Sequence, residues 1–383
     1  LSDVRELDVN ELLGREAVKP NKTLLRKCIY NKVVMVTGAG GSIGSELCRQ
    51  VLTQKPSCIL LVENSEISLY NIHSELQSML DSSTHNLILI PLLVDVQDKN
   101  KLSQLFKTWT PQTVYHAAAY KHVPMVEHNV VAGITNNVMG TINCAKAALA
   151  FGVEDFVLIS TDKAVRPTNI MGASKRLAEM ALQSLANSSK QTKICFSMVR
   201  FGNVLGSSGS VVPLFRKQIL SGGPVTVTDE KVTRYFMTIP EAAQLVIQAG
   251  AMANGGEVFV LDMGEPVYII NLARNMIETS GLTVKDKVTP WGDIEIKVTR
   301  MRPGEKLYEE LIIGNDVKQT KHPRILQARE NFMKEHDFFD FINKLKNSIA
   351  QNNIVEIREL LIENVSGFTP NADIVDWVHT KFS

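Results

Sequence analysis

A hydroxyl, a carboxyl and an amine stand side by side at one point of the chain. Thr161, Asp162 and Lys163 are consecutive, and they follow an apolar run that is typical of a β-strand. Groups of these types can move protons to and from different atoms of one substrate. Because neighbouring side chains diverge at the end of a strand, we expect the three to address different atoms. The alternative interpretation is an ordinary ion pair in a solvated loop.

A glycine-rich stretch nearer the N-terminus has the spacing of a phosphate-binding turn. Gly38, Gly41 and Gly44 form the pattern G-x-x-G-x-x-G between a predicted strand and a predicted helix. Glycines at these positions permit a tight turn and a close approach of the backbone to a pyrophosphate. The helix N-terminus, with Ser42 and Ile43, offers unpaired N–H groups to the phosphates.

The ends of the next strands extend this turn into a predicted dinucleotide site. Glu63 ends the second strand, nineteen residues beyond Gly44, where a carboxylate binds the adenosine ribose and repels a 2′-phosphate. Asp95 and the adjacent Val96, at the end of the third strand, fit beside the adenine. A run of small residues after the fourth strand lets the backbone pass close to the cofactor: Ala117, Ala118 and Ala119. We therefore predict that the cofactor is NAD.

Apolar runs that alternate with helical patterns place these motifs on a parallel sheet. Strands are predicted at residues 32–37, 58–63, 87–94, 113–116 and 156–160, with helices at 42–54 and 66–80. Such alternation is typical of a sheet covered on both faces. We predict an α/β fold: a Rossmann-type doubly wound parallel sheet with a smaller C-terminal substrate-binding lobe.

Changes in composition and in the pattern of predicted elements divide the chain into four predicted parts. Residues 1–30 form a leader with an apolar pattern at Val9, Leu12 and Leu13, which we expect to pack on the domain rather than join its sheet. The other parts are an NAD-binding domain at 31–200, a lobe at 201–330 interleaved with it, and a helical cap at 331–383.

The composition excludes several classes of function. Lys and Arg total 41 against 40 Asp and Glu, so the net charge of +1 provides no electrostatic case for binding nucleic acid. No apolar run approaches the roughly 18 residues of a membrane span. The five cysteines lack C-x-x-C and zinc spacing, so we expect no metal site, buried free thiols and a reducing cytoplasm.

The helix predicted after the acid–base residues introduces a resemblance. Met171-Gly172-Ala173-Ser174-Lys175, together with the glycine spacing, resembles the extended short-chain dehydrogenase/reductase superfamily. That superfamily carries Ser or Thr after the fifth strand and Tyr-x-x-x-Lys on the next helix. Here the lysine matches, but methionine stands at the tyrosine position.

Four further motifs narrow the resemblance. They are AYKHVP at 119–124, STDKA at 160–164, RFGNVLG at 200–206 and RPGEK at 302–306. In combination they resemble the CapD-like polysaccharide-biosynthesis family of UDP-N-acetylglucosamine 4,6-dehydratases, from about residue 5 to 330. Larger members carry an N-terminal membrane-spanning region, and this chain resembles their catalytic part alone. The resemblance implies a homo-oligomer whose catalytic part lies in the cytoplasm, at the inner face of a bacterial membrane.

The resemblance also implies roles for the acid–base residues. A 4,6-dehydratase oxidises C4 of the sugar, eliminates water across C5 and C6, and reduces C6. Asp162 is then the acid for the C6 hydroxyl, Lys163 the acid and base at C5, and Thr161 a hydrogen-bond partner of O4. Lys175 holds the nicotinamide ribose. Because a lysine base must lose its proton, we expect the positive nicotinamide and Lys175 to lower the pKa of Lys163.

Met171 is the departure from the superfamily pattern. A thioether cannot take the O4 proton, which leaves Asp162 or a water molecule as the acceptor. Within the family, methionine at this position resembles the membrane-linked branch that retains the C5 configuration, whereas the inverting branch keeps tyrosine. The alternatives are an inactive protein that senses NAD, or a UDP-sugar 4-epimerase, although an epimerase normally keeps the tyrosine.

Residues for the nucleotide sugar are assigned mainly by the resemblance. A diphosphate needs a local cationic cluster, for which Arg234 and Arg302 are suited, and Glu305 suits the uridine ribose. Lys121 and His122 are expected to face the sugar. The cleft is expected to be lined by Asn203 and by the Gly-Ser run through Ser210 and Val211.

Overall fold

A nine-stranded sheet forms the centre of the fold in the computed structural model, which describes residues 19–81, 87–188, 193–311 and 317–382. The strands are β1 (Val33–Thr37), β2 (Cys58–Glu63), β3 (Ile88–Leu93), β4 (Thr113–His116), β5 (Asp155–Ile159), β6 (Cys195–Arg200), β7 (Asn203–Val204), β8 (Val225–Val227), β9 (Thr233–Arg234), β10 (Phe236–Met237), β11 (Glu257–Leu261), β12 (Val267–Tyr268), β13 (Val284–Lys285), β14 (Ile294–Val298), β15 (Val317–Gln319) and β16 (Ile325–Ala328).

Helices cover the sheet and build the lobe. They are α1 (Lys22–Lys27), α2 (Ser42–Thr53), α3 (Glu66–Asp81), α4 (Lys99–Trp109), α5 (Val123–Glu127), α6 (Val130–Ile134), α7 (Gly140–Ala150), α8 (Ile170–Ser188), α9 (Val211–Leu220), α10 (Ile239–Met252), α11 (Ile269–Thr279), α12 (Glu335–Ala350), α13 (Ile354–Asn364) and α14 (Trp377–Phe382). A π-helical turn at Thr135–Met139 and a 3₁₀ turn at Asp162–Ala164 complete the set. None of the helices within the described ranges is long and apolar enough to cross a membrane.

The strand order of the main sheet is β15-β16-β11-β6-β5-β4-β1-β2-β3. In this order, the seven strands from β11 to β3 run parallel to one another. Strands β16 and β15 add an antiparallel edge. The order reverses between β1 and β4, which opens a crevice at the carboxyl ends of these strands. The predicted doubly wound α/β fold is confirmed, and the five predicted strands are correct to within one residue at each end.

The alternation of side chains along β1 and β2 explains why both strands are apolar up to their last residue. Val34 and Val36 pack into one core with Ile59 and Leu61, on the face covered by α2, α3 and α10. Met35 packs with Leu60 and its neighbours on the other face, under α4, α7 and α8. Because both faces of the sheet are buried here, the middle of each of these two strands carries apolar residues on both faces.

The smaller lobe has a core of its own around Phe215, Phe236 and Met276. The chain leaves the main sheet after β6, builds β7 to β10 with α9, and returns for α10 and β11. It then leaves again for β12 to β14 with α11. Beyond the sheet, α12 packs against α8 and α13. Helix α1 packs on α10, while the apolar pattern predicted at residues 9–13 lies outside the described residues. The four part boundaries stay a prediction.

Candidate active site

A cavity of about 660 Å³ opens at the crevice between β1 and β4. It extends from the glycine-rich turn, past the residues that follow β4 and β5, to the start of α8 and the chain after β6. Of the residues predicted for the cofactor, those that line this cavity are Gly38, Gly41, Ser42, Ile43, Gly44, Glu63, Val96, Ala117, Ala118, Ala119 and Lys175. The cavity has the position and extended form of a dinucleotide site.

The glycine-rich turn packs against the alanine run without room for side chains. Gly38 has a φ of +65°, and a Cβ on it would lie 2.8 Å from the backbone of Ala118. A Cβ on Gly44 would collide with the carbonyl group of Gly38. Helix α2 begins directly after the turn, and its N-cap, Gly41, supplies no side-chain hydrogen bond. The first residues of α2, Ser42, Ile43 and Gly44, line the cavity, so this helix N-terminus has the position that an anion site requires.

Glu63 is held beside this turn at the end of β2. Its buried carboxylate accepts hydrogen bonds from the backbone N–H groups of Gly40 (3.0 Å), Asn64 (2.9 Å) and Ser65 (3.1 Å). A carboxylate has about four acceptor positions, so one stays available to a ribose hydroxyl. These features fit NAD, which the described residues would hold along the turn and at Glu63.

Asp95 stands between two residues that line the cavity. Strand β3 ends at Leu93, two residues earlier, and the Asp95 carboxylate accepts a hydrogen bond from the N–H of Gln97 (2.8 Å). The described residues that line the cavity include Val94 and Val96 but not Asp95. Its contact with adenine stays a prediction.

Asn137, which no motif singled out, fixes the segment after the alanine run. Its side chain accepts a hydrogen bond from the Tyr120 N–H (2.7 Å) and donates to the Tyr120 carbonyl (2.9 Å) and to Ser174 Oγ (2.9 Å) on α8. Asn137 lies in the π-helical turn, and its neighbour Asn136 lines the cavity. Two consecutive asparagines inside a helical pattern were the available signal, because asparagine is a poor helix former and π-turns often occur at functional sites.

The three acid–base residues converge instead of diverging. Thr161 Oγ1 donates a hydrogen bond to Asp162 Oδ1 (2.8 Å), and Lys163 Nζ lies 3.0 Å from the same oxygen. The expectation of divergent neighbours was wrong because residues 162–164 form a 3₁₀ turn rather than an extended strand end. Asp162 is fully buried and the Lys163 side chain is 17% exposed, so the pair is not a solvated loop ion pair either.

The carboxylates beside Lys163 act against the expected lowering of its pKa, and the effect of a bound nicotinamide on this pKa stays a prediction. Burial lowers the pKa of Lys163, but the charges of Asp162 and of Glu309, 3.7 Å away, outweigh burial and hold this pKa above its ordinary value. The sequence provided no signal for Glu309, because its neighbours fit no motif. Burial does lower the pKa of Lys175, to about 8, and its Nζ donates to the carbonyl of Ile159 (2.7 Å).

Met171 and Lys175 lie one helical turn apart on α8, and both line the cavity. A charged network beneath them fixes the strand ends that carry the site. Ser160 Oγ donates to Glu179 on α8 (2.6 Å), and Glu179 pairs with Arg200 at the end of β6 (2.6 Å). Burial would raise the pKa of Glu179, but Arg200 leads the interactions that lower it to about 2. This network rigidly joins β5, β6 and α8 behind the cavity.

The residues predicted for the sugar divide into two groups. Lys121, His122 and Asn203 line the cavity, and Asn203 Oδ1 lies 3.4 Å from Lys163 Nζ. The loop after Asn203 reaches the cofactor side, where the Ser208 N–H donates to Ser42 Oγ (3.1 Å). Ser210 and Val211 are the N-cap and first residue of α9, and neither is among the described residues that line the cavity.

The predicted diphosphate cluster has a different geometry. The buried Arg234 donates to the backbone carbonyls of residues 306 (2.8 Å) and 307 (3.1 Å) and lies 3.5 Å from Glu305 Oε1. Arg302 is exposed, and its backbone N–H donates to Glu305 Oε2 (3.1 Å). These three residues are not among the described residues lining the cavity. Arg234 thus anchors the 305–307 segment to β9, and the phosphate roles stay predictions.

Similarity to characterised proteins agrees with this geometry. The chain is 46% identical over 93% of its length to the capsular polysaccharide biosynthesis protein CapD of Staphylococcus aureus, and 51% identical over 82% to the probable polysaccharide biosynthesis protein EpsC of Bacillus subtilis. It spans 58% and 50% of the lengths of these two relatives. An inverting UDP-N-acetylglucosamine 4,6-dehydratase of Campylobacter jejuni is 31% identical over 74% of the chain and 78% of its own length. A UDP-glucose 4-epimerase of Rickettsia akari is also 31% identical, over 75% of the chain and 79% of its own length.

A solved structure supports the fold and the family. The X-ray structure of Pen from Bacillus thuringiensis matches 80% of this chain and 92% of its own, with a TM-score of 0.70 and 32% identity. The model of the family described as polysaccharide biosynthesis protein matches residues 34–330. The resemblance read from the four motifs is confirmed, and the chain belongs to the polysaccharide biosynthesis protein family.

Proposed function

We propose that the chain is an NAD-dependent UDP-N-acetylglucosamine 4,6-dehydratase that retains the C5 configuration and supplies a UDP-4-keto-6-deoxy-N-acetylhexosamine for bacterial glycan synthesis. The observation that carries the proposal is the buried Asp162–Lys163 pair beside the dinucleotide-type turn. An elimination needs both a proton donor and a proton acceptor next to the redox site, whereas oxidation and reduction at C4 alone need one acid–base group. The relative named as a UDP-N-acetylglucosamine 4,6-dehydratase supports the substrate.

When bound, NAD would accept the hydrogen of C4 and return it to C6. Lys175, on the cavity wall, would orient the nicotinamide ribose. Thr161 Oγ1 donates to Asp162 Oδ1, so a sugar O4 that donates to Thr161 would pass its proton on to Asp162. Asp162 would then protonate the C6 hydroxyl, which leaves as water, and Lys163 would remove and later return the C5 proton. This hydrogen-bond chain favours Asp162 over a water molecule as the acceptor of the O4 proton.

Met171 accounts for the proposed retention at C5. It lines the cavity where the superfamily has tyrosine, and a thioether can neither donate nor accept the reacting protons. Lys163 is then the group that both removes and returns the C5 proton, from one face of the sugar. A base that returns the proton to the face it left preserves the configuration.

The test is product analysis by NMR after incubation with NAD and UDP-N-acetylglucosamine. We expect a UDP-4-keto-6-deoxy sugar; a C4 epimer would indicate an epimerase, and unchanged substrate a protein that senses NAD. Asp162→Asn and Lys163→Ala should each lower turnover by about 10²- to 10⁴-fold while calorimetry still detects NAD and UDP-sugar binding. The control is Lys32→Met, which removes an ion pair with Glu154. Neither residue is among the described residues that line the cavity, so this variant should keep normal turnover.

The cellular setting belongs to the same proposal. By family resemblance, the full-length protein would be membrane-anchored with this catalytic part in the cytoplasm, and it would form a homo-oligomer. Size-exclusion chromatography with light scattering tests the oligomer directly, because a monomeric mass at micromolar concentration would contradict it.

A further inference from the structure

Glu309 is a buried carboxylate that the proposed mechanism does not yet use. Its side chain is 4% exposed, and its Oε1 lies 3.7 Å from Lys163 Nζ. Lys163 therefore faces two carboxylates, because Asp162 Oδ1 lies 3.0 Å from the same nitrogen. Burying a second carboxylate beside an ion pair that is already complete is costly, which indicates a role for Glu309.

Each of these carboxylates has one oxygen without a partner. Asp162 Oδ2 and Glu309 Oε2 are buried and make no hydrogen bond to the described residues. Leaving a buried acceptor unpaired costs about 1–3 kcal/mol, so such atoms in a folded protein call for a functional explanation. An unpaired carboxylate oxygen is a position at which a proton can bind. The site therefore has two proton positions around one amine.

The surroundings of Glu309 favour its protonated form. Burial raises the pKa of Glu309, the charge of Lys163 opposes that shift, and the net pKa lies above the ordinary range. Lys163 in turn has its pKa raised by the carboxylates that face it, against the effect of burial. Interacting groups of this kind titrate as a pair rather than singly.

The proposed reaction leaves one proton without a destination. Lys163 is charged before the sugar reacts, whereas the removal of the C5 proton requires a neutral amine. Asp162 cannot take the Lys163 proton, because the proposed mechanism uses Asp162 to carry the O4 proton to the C6 hydroxyl. A second acceptor within reach of Lys163 is required, because a bound sugar would occupy the cavity through which the 17% exposed Lys163 side chain meets solvent.

We propose that Glu309 takes the proton of Lys163 when the sugar binds and returns it at the end of each turnover. The inference rests on the proposed dehydratase function. The O4 proton moves to Asp162 and the Lys163 proton to Glu309; Lys163 then removes the C5 proton, and the Asp162 proton leaves with the C6 hydroxyl as water. As C6 is reduced, Lys163 returns its proton to C5 and recovers the one held by Glu309. The sugar has lost one water, and every protein group is restored.

Glu309 would hold the proton of Lys163 without touching the sugar. It is therefore a positioning residue and not a catalytic residue. The test compares Glu309→Gln, which cannot accept a proton, with Glu309→Asp, which can. Glu310→Gln is the matched control, because its carboxylate is 42% exposed and pairs with Arg166 at 3.2 Å. NAD binding and thermal unfolding show whether each variant is folded.

We expect Glu309→Gln to lower kcat about 10²-fold at neutral pH with an unchanged KM, the low end for the loss of one acid–base group. Its kcat should rise with pH, because Lys163 must then release its proton to solvent. The kinetic isotope effect with C5-deuterated UDP-N-acetylglucosamine should increase, because removal of the C5 proton becomes slower. Glu309→Asp should recover most of kcat, and Glu310→Gln should match the unmodified protein.

The possible failures are distinguishable. Unmodified protein that forms no 4-keto-6-deoxy sugar overturns the dehydratase function and the Glu309 role together. Normal product from the unmodified protein, with kcat, pH profile and isotope effect unchanged in Glu309→Gln, overturns the Glu309 role alone. Equal losses in the Gln and Asp variants with a raised KM, or a comparable loss in Glu310→Gln, would mean that the segment has only a structural role.

Discussion

Replacing Lys163 with methionine removes the ammonium group that faces two buried carboxylates, and its energetic cost follows from the structure. Lys163 Nζ lies 3.0 Å from Asp162 and 3.7 Å from Glu309. At an effective dielectric constant of about 20, the nearer attraction alone is about 5 kcal/mol. Removing one partner of a buried pair costs about 3–5 kcal/mol in measured cases, and we expect Lys163→Met to lower the free energy of unfolding by that amount at pH 8.

The loss in free energy of unfolding caused by Lys163→Met should become smaller as pH falls. Burial raises the pKa of Glu309, and without the ammonium group Glu309 has lost the largest of the charges that oppose this shift, while Arg234 and Lys306 remain. A carboxyl group whose pKa is raised in the folded state binds more protons folded than unfolded, so the variant gains stability as pH falls. Each unit of pKa shift corresponds to about 1.4 kcal/mol. The difference from the unmodified protein should therefore be largest at pH 8 and smaller at pH 5.5.

Urea unfolding at these two pH values measures both effects. Lys32→Met is the control, because Lys32 Nζ lies 2.7 Å from Glu154 and 3.2 Å from Asp155, but the Glu154 side chain is 49% exposed. An ion pair open to solvent contributes about 0–1 kcal/mol despite the similar distances. The double variant Lys163→Met with Glu309→Gln should regain part of the loss. A Lys163→Met cost no larger than that of Lys32→Met, or a cost that grows on acidification, would refute the reasoning.

Three further predictions concern the cofactor, the missing tyrosine and acid stability. Glu63→Ala should weaken NAD binding and reduce discrimination against NADP, measured by calorimetric titration; preference of the unmodified protein for NADP would show that Glu63 has been misinterpreted. Met171→Leu should keep substantial turnover and cost under about 1.5 kcal/mol of stability, and turnover in deuterated water should place deuterium at C5 with the configuration kept, whereas an inverted product would contradict the retaining assignment. Burial lowers the pKa of His116 to about 3. The contribution of the neutral ring to stability is therefore complete above about pH 6.5, and up to about 1.4 kcal/mol is lost per pH unit as pH falls toward 3. His116→Gln should flatten this pH dependence in urea unfolding, and an unchanged slope would exclude His116 as its source.

Much of the fold was determined by local patterns in the sequence. Strands such as β1 and β2 are apolar at every position but the last, because both faces of a covered parallel sheet are buried, and that pattern is visible without coordinates. The turn at Gly38 was equally visible, because its positive φ and its contact with the Ala118 backbone leave no alternative to glycine. Both constraints fix the type of a residue at a given place in a short local pattern, so sequence reasoning found them.

The chemistry of the site depended on contacts between distant residues, which only the tertiary structure decided. The sequence alone identified Thr161, Asp162 and Lys163 as acid–base residues. Their side chains come together because they lie at a 3₁₀ turn, and Glu309 contacts Lys163 from a segment some 146 residues later in the chain. The position of these two carboxylates holds the pKa of Lys163 above its ordinary value in the protein itself. A pKa is set by every charge near the group and by its burial, and neither quantity is encoded in local spacing.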